Sequence, residues 1–246
     1  MPTIDINCDM GEGIGTDEAI MPFISSANIA CGYHAGDEET MRNTIELAVN
    51  HGVAIGAHPS FFDKENFGRV DKYLAADEIY DLVFLQLRTI DKLVKEKHKD
   101  LHHVKPHGAL YNMAVKDLNI ARAIAQAVKD FDDQLILFGL PRSESLKQAD
   151  LINLKVANEV FADRTYQDDG TLTPRARVNA LIDDVHKSVQ QALQMVREKT
   201  VTTVNGRTIP IVADTICIHG DGKHAIELAK ALHAAFTSEG IEINAC

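Results

Sequence analysis

The sequence predicts an α/β fold, a parallel β/α barrel of about seven strands, on three observations. Short β-type runs alternate with helical patterns, which builds a parallel sheet, open or closed. Within the runs, polar and apolar residues alternate, so each strand has a polar face and an apolar face. Nearly every run also ends in a polar cluster: "NCDMGEG", "ACGYHAGD", "GAHPSF", "KPHGALYN", "NEVFADR" and "CIHGD". A barrel brings the C-terminal ends of all its strands to one mouth, whereas an open sheet gathers only a few at its switch point. Six contributing ends favour closure.

The first strand, residues 4–8, puts Ile4, Ile6 and Cys8 on one face and Asp5, Asn7 and Asp9 on the other. A second strand at 27–30 is followed by a helix at 39–50 that Gly52 closes as a C-cap. The third strand, 54–57, carries Gly56 and His58 in phase, and a long helix at 76–97 follows. The fourth, 103–105, sits in "HVKPHGALYN", where His103, Lys105 and His107 share one face. Pro106 falls at the strand's end, where the missing N–H matters least. Helices at 120–129 and 144–149 alternate with strands at 135–138 and 155–158. A helix at 178–198 precedes "TTVNGRTIPI", whose Asn-Gly marks a hairpin inserted before the last strand. That strand, 216–218, sets Cys217, His219 and Asp221 in phase, and a helix at 225–236 runs out toward Gly240. With no repeat or linker to divide it, the chain reads as one barrel domain, 1–246.

The 246 residues, 45% of them hydrophobic, suffice for one large core. A formal net charge of -11 without a long basic run argues against a nucleic-acid groove or an anionic membrane surface. No stretch is apolar enough to span a bilayer. The start "MPTIDINCDMGEG" lacks the basic and apolar regions of a signal peptide, and four cysteines without a CxxC pair are expected to be free thiols in the cytoplasm. A small-molecule substrate fits these bounds, and a homo-oligomer is left open.

If the apolar faces meet the helices, the polar faces point into the barrel. Lys105 and His107 then look into a cavity shared with Asp9, His58 and His219, where opposite charge and hydrogen bonds offset their desolvation. His34 stands at another strand end. A single strand-end histidine is commonly a hydrogen-bonded structural residue, but ionisable groups gathered in a cleft mark a functional site. Cys8, Cys31 and Cys217 read as small packing residues. "MGEGIG" lacks the GxGxxG spacing of a dinucleotide turn and places Glu12 where a phosphate would sit.

Six ordered motifs, "DINCDMGEG", "SANIACGYHAGD", "GAHPSFFDKENFGR", "VKPHGALYN", "ADRTYQDDGTLTPR" and "CIHGD", resemble the LamB/YcsF family over essentially the whole chain. The resemblance implies an irregular seven-stranded β/α barrel related to the glycoside hydrolase/polysaccharide deacetylase type. It also implies the activity of the A subunit of a 5-oxoprolinase: ATP-dependent opening of 5-oxoproline (pyroglutamate) to L-glutamate, in a complex with subunits B and C. On the matching motifs, the catalytic candidates are Asp9, Glu12, His58, Lys105, His107 and His219. The substrate-binding candidates are Asn7, Asn28, His34, Asp37, Arg69, Tyr111, Asp163, Arg164 and Asp221.

A five-membered lactam is an unactivated amide, so coupling to ATP, with its magnesium, is a sensible route. Phosphorylating the carbonyl oxygen turns it into a leaving group. Lys105 and Arg164 are the cationic clamps such a site needs, Asp9, Glu12 or His107 can activate water, and His58 and His219 can donate to developing charge. Two alternatives stay open. One is a divalent-metal amide hydrolase or deacetylase with Asp9, His58 and His107 as ligands. The other is a non-catalytic lactam-binding subunit. Lys105→Met is expected to keep the fold, with slightly higher stability because a buried ammonium is gone.

Overall fold

The computed structural model describes residues 2–246. Seven parallel strands close on themselves: β1 (Thr3–Met10), β2 (Ser26–Ala30), β3 (Ala54–His58), β4 (His103–Val104), β5 (Ile136–Gly139) and β6 (Lys155–Phe161), then a late strand, Thr215–Ile218, that pairs with both β6 and β1. An antiparallel hairpin of β7 (Thr200–Thr202) and β8 (Thr208–Pro210) precedes that strand, which is β9, as the Asn-Gly turn requires. A short strand, β10 (Glu242–Ile243), adds to the outer end of β1 at Thr3 and Ile4. Closure follows from the paired faces of the strands: Asp5, Asn7 and Asp9 point inward, while Ile4, Ile6 and Cys8 are buried against the helical layer.

The helices are α1 (Asp17–Ile20), α2 (Glu38–His51), α3 (Ala76–Glu96), α4 (Gly108–Ala114), α5 (Leu118–Phe131), α6 (Glu144–Leu151), α7 (Val185–Leu193) and α8 (Ala225–Ser238). In α3, Ile79, Val83, Leu87, Ile90 and Val94 recur every three or four residues and are buried, the apolar stripe that docks the helix on its neighbours. Each such side chain contributes roughly 1.5–3 kcal/mol. Asp117, Ser143 and Asp184 cap α5, α6 and α7, each accepting from a backbone N–H of the first turn.

Four elements differ from the sequence-based expectation. The helix expected over 178–198 begins only at Val185, because the Asp184 carboxylate accepts from the Lys187 N–H and fixes the start there; residues before it run as a loop in which Leu181 bridges to Arg164. α1 and α4 are short helices inside strand-end loops, below the length at which periodicity shows. β4 has only two residues by ladder pairing, although the Lys105 N–H still donates to the Ala57 carbonyl at 2.9 Å.

Gly56 is a glycine for space. A Cβ there would lie 2.1 Å from His103 Nε2, because the His103 ring crosses the barrel to donate to Asn28 Oδ1 at 2.8 Å and stacks on Phe138. Gly56→Ala therefore displaces a buried, hydrogen-bonded ring, at a cost of about 1–3 kcal/mol. Thermal unfolding should show a melting temperature lower by roughly 2–4 °C for each kcal/mol lost.

Candidate active site

The polar faces of the strands form a hydrogen-bonded ladder along the barrel. At its base the buried Asp5 carboxylate accepts from Ser25 (2.6 Å), Ser26 (2.8 Å) and Thr215 (2.5 Å). Asn7 Nδ2 donates to Thr215 Oγ1 at 2.7 Å, and Asn28 Nδ2 donates to both Asn7 Oδ1 (2.7 Å) and Asp9 Oδ1 (2.8 Å). These asparagines are fully buried beneath the site and hold the groups above them.

Above the ladder lies Lys105. Its ammonium donates to Asp9 Oδ1 at 2.8 Å and lies 2.9 Å from Glu159 Oε1 and 3.0 Å from Cys217 Sγ. Burial alone would lower the lysine's pKa, but the Asp9 and Glu159 carboxylates outweigh it and raise it well above its ordinary value. Burial would likewise raise Asp9, yet His58 and Lys105 hold it well below the carboxylate range. Burial pushes the Cys217 thiol far up, so it stays a thiol. Glu159 is fully buried on β6. In "NEVFADR" it shares parity with Asp163, the one signal from which its inward orientation was readable.

A histidine layer forms the next tier. His58 Nδ1 lies 2.7 Å from the Lys105 carbonyl and His107 Nε2 lies 2.9 Å from the Phe67 carbonyl. A carbonyl only accepts, so both outer nitrogens carry protons. The inner nitrogens, His58 Nε2 and His107 Nδ1, face each other at 2.9 Å. Glu12 Oε1 is 3.4 Å from His107 Nδ1 and 3.0 Å from His34 Nε2. Burial and the Asp9 charge raise Glu12 to about 7, while burial lowers His34 to about 2 and takes His107 well below its ordinary value. The Phe67 carbonyl is aimed by a left-handed backbone, φ 55°, followed by Gly68 at φ 63°. A Cβ on Gly68 would meet Ser60 Oγ at 2.3 Å, so the turn that presents this carbonyl needs glycine next in line.

A cavity of about 730 Å³ opens above these groups, with Asp9, Glu12, His58, Lys105, His107 and His219 on its wall together with Arg69, Tyr111, Arg164 and Asp221. All six catalytic candidates thus meet in one place. Arg69 pairs with Asp221 at 2.5 Å across the mouth. His219 Nδ1 lies 2.9 Å from Asp163, which orients the ring from outside the cavity. Arg164 donates to the carbonyls of Thr173 (2.7 Å) and Ala180 (3.3 Å), so much of its guanidinium is engaged in holding its own loop. His34 stacks behind His107, at 3.8 Å between centroids. Asp37 stands apart: it is the N-cap of α2, accepting from the Thr40 N–H at 2.8 Å. Lys116 and Arg175 also line the cavity; as exposed residues in helix-end and loop positions they carried no periodic signal.

Seven parallel strands, helices outside and a carboxylate, imidazole and ammonium cluster at the strand ends define a β/α-barrel protein of the esterase and deacetylase architecture. A family 4 carbohydrate esterase from Streptomyces lividans shares that fold, with a TM-score of 0.53 at 9% identity over 98% of this chain and 91% of the other. The LamB/YcsF family model matches residues 4–246, and the chain belongs to that family. It is 52% identical, over the full length of both chains, to the 5-oxoprolinase A subunit of Tolumonas auensis. It also superimposes on the lactam utilization protein of Thermus thermophilus with a TM-score of 0.94, at 40% identity over 99% of this chain and 100% of that one.

The geometry reverses the stability expected of Lys105→Met. With the ammonium removed, Asp9 and Glu159 remain as buried carboxylates without their shared counter-ion, a loss of about 3–5 kcal/mol. Lys105→Met/Glu159→Gln, which removes one of the stranded charges, should recover a good part of it, measured by denaturant unfolding. The deficit of the single variant should also depend on pH. In wild type the lowered Asp9 pKa contributes stability above its unfolded value of 3.8 and loses it as pH falls below. In the variant Asp9 loses the ammonium that helps to lower its pKa and takes up a proton more readily, so the deficit should be smaller at pH 5 than at pH 8.

Proposed function

We propose that the chain is the A subunit of an ATP-dependent 5-oxoprolinase, which opens 5-oxoproline to L-glutamate while ATP is hydrolysed to ADP and phosphate, and that it works with subunits B and C. The observation that carries this reading is a fixed ammonium beside a carboxylate and imidazole cluster on the wall of one cavity, in a chain 49–52% identical to relatives named as 5-oxoprolinase A subunits. Ring opening of a lactam needs a donor for the carbonyl oxygen as it gains charge and an acceptor for the proton of attacking water. Lys105 is the donor. Its two carboxylate partners fix its position before the reaction, so little reorganisation accompanies charge development. Asp9, through the Oδ2 that Lys105 and Asn28 leave free, receives the water's proton, and His219, oriented by Asp163, serves the departing nitrogen.

Two cationic side chains on the cavity wall, Lys116 and Arg175, suit an anionic substrate and the phosphate of an activated lactam. The cavity volume lies within the ordinary range for a small-molecule site. No GxxxxGK[ST] loop occurs in the sequence, so the nucleotide, with its magnesium, is assigned at least in part to the partner subunits. No helix among the described residues is long and apolar enough to cross a membrane.

The test is a coupled assay of the purified chain with partner subunits, 5-oxoproline and ATP, following glutamate and ADP together. Both should form in equal amounts, and the chain alone should form little of either. Lys105→Met should lower turnover on the order of a hundredfold or more, and Lys105→Arg should not restore it, because a planar fork does not fit between Asp9 and Glu159. Unchanged turnover in a folded Lys105→Met protein would remove the lysine from the mechanism. Glutamate formation with partners but without this chain would leave it no catalytic part.

A further inference from the structure

The histidine layer and Glu12 bring three ligand-type atoms to one place. His58 Nε2 and His107 Nδ1 face each other at 2.9 Å with their outer nitrogens committed as donors to backbone carbonyls. Around them stand the carboxyl groups of Asp9, Glu12 and Glu159 and the Lys105 ammonium, all of them buried or nearly so.

We propose that Glu12, His58 and His107 hold a divalent first-row metal ion, zinc being the best chemical match, with its open positions toward the cavity. The three ligand atoms form a triangle with edges of 2.9, 3.4 and 3.9 Å. Ligands about 2.0–2.1 Å from a tetrahedral ion lie roughly 3.3 Å apart, so the triangle needs only small side-chain shifts to admit one. Two imidazoles and one carboxylate with an open position form a common catalytic zinc set. The outer N–H of each imidazole bonds a backbone carbonyl, the arrangement that fixes a ligand's tautomer.

Two neighbours are excluded from the ligand set by geometry. Asp9 Oδ1 already accepts from Lys105 and Asn28, and its Oδ2 lies 3.4 Å from His58 Nε2, placing this carboxylate beside the ion rather than on it. Glu12 thus takes the place of Asp9 in the set expected from sequence. His34 stacks parallel to His107, 3.8 Å away with 8° between planes. An ion in the plane of His107 therefore lies well out of the plane of His34, whose Nε2 instead meets Glu12 Oε1 at 3.0 Å. The adjacent Lys105 ammonium does not oppose the ion, since two carboxylates neutralise it.

The metal site lies in the cavity of the proposed lactam chemistry but does not depend on that chemistry, because binding is measured on the isolated chain. Chelator-stripped protein is titrated with Zn²⁺ by calorimetry and with Co²⁺ by visible absorption. One equivalent should bind, with cobalt bands of a four- or five-coordinate nitrogen and oxygen site. Glu12→Gln and His107→Ala, each shown folded by circular dichroism, should weaken binding by at least about a hundredfold, since even partners behind the ligands are worth 10–100-fold. Asp9→Asn should stay within about tenfold of wild type. If wild type takes up neither ion stoichiometrically, the facing nitrogens share a proton and the proposal fails. It fails equally if Asp9→Asn abolishes binding while Glu12→Gln retains it.

Discussion

The ion cluster of Lys105, Asp9 and Glu159 is the constraint to which the interior of this barrel is built. A buried ammonium is tolerated only where carboxylates meet it, and those carboxylates come from β1 and β6, on opposite sides of β4 in the strand order. The three strands are thus tied through the barrel's interior as well as around its wall. Below the cluster, Asn7, Asn28 and Thr215 pass hydrogen bonds down to Asp5, so that the inward faces of β1, β2 and β9 are satisfied without water. Breaking one member leaves others stranded, which makes the network a source of registry as much as of stability.

The histidine layer inherits its geometry from this base. His58 is oriented by the carbonyl of Lys105, so the backbone that carries the ammonium also fixes an imidazole. His107 is oriented by Phe67, in a loop that adopts left-handed backbone at two successive residues. The Gly68 carbonyl accepts from the Ala109 N–H at 2.9 Å, which ties that loop to the start of α4. A non-glycine residue at positive φ costs of order 1–3 kcal/mol and persists only where its surroundings hold it. Here the observed outlier sits directly behind a cavity side chain.

Several residues that look alike in sequence do different work in space. Asp9 and Asp37 both lie in strand-end motifs, but one pairs with a buried ammonium and the other caps an exposed helix turn. Lys105 and Arg164 both read as cationic clamps. Lys105 holds carboxylates, while Arg164 holds the carbonyls of its own loop. Cys217 read as a packing residue, and its thiol indeed remains protonated by burial, yet it also lines the pocket of the ammonium.

The closed parallel barrel was legible in the amino-acid order because six strand-like runs end in polar clusters, and its inward face because the alternation of Asp5, Asn7 and Asp9 with Ile4, Ile6 and Cys8 depends only on the two-residue period of a strand. So was the set of residues that gathers at the mouth, since strand ends in a barrel converge whatever the loops do. The family motifs lay in the same stretches. Which group pairs with which was settled only in three dimensions. Glu159 stands 54 positions from Lys105 in the chain, and no local pattern announces that its carboxylate reaches the ammonium. The short helices α1 and α4, the late start of α7 and the addition of β10 to β1 are likewise set by caps and partners that periodicity does not encode. The inner nitrogens of His58 and His107 meet because two carbonyls hold the outer ones, and such a contact exists only once the strands have closed.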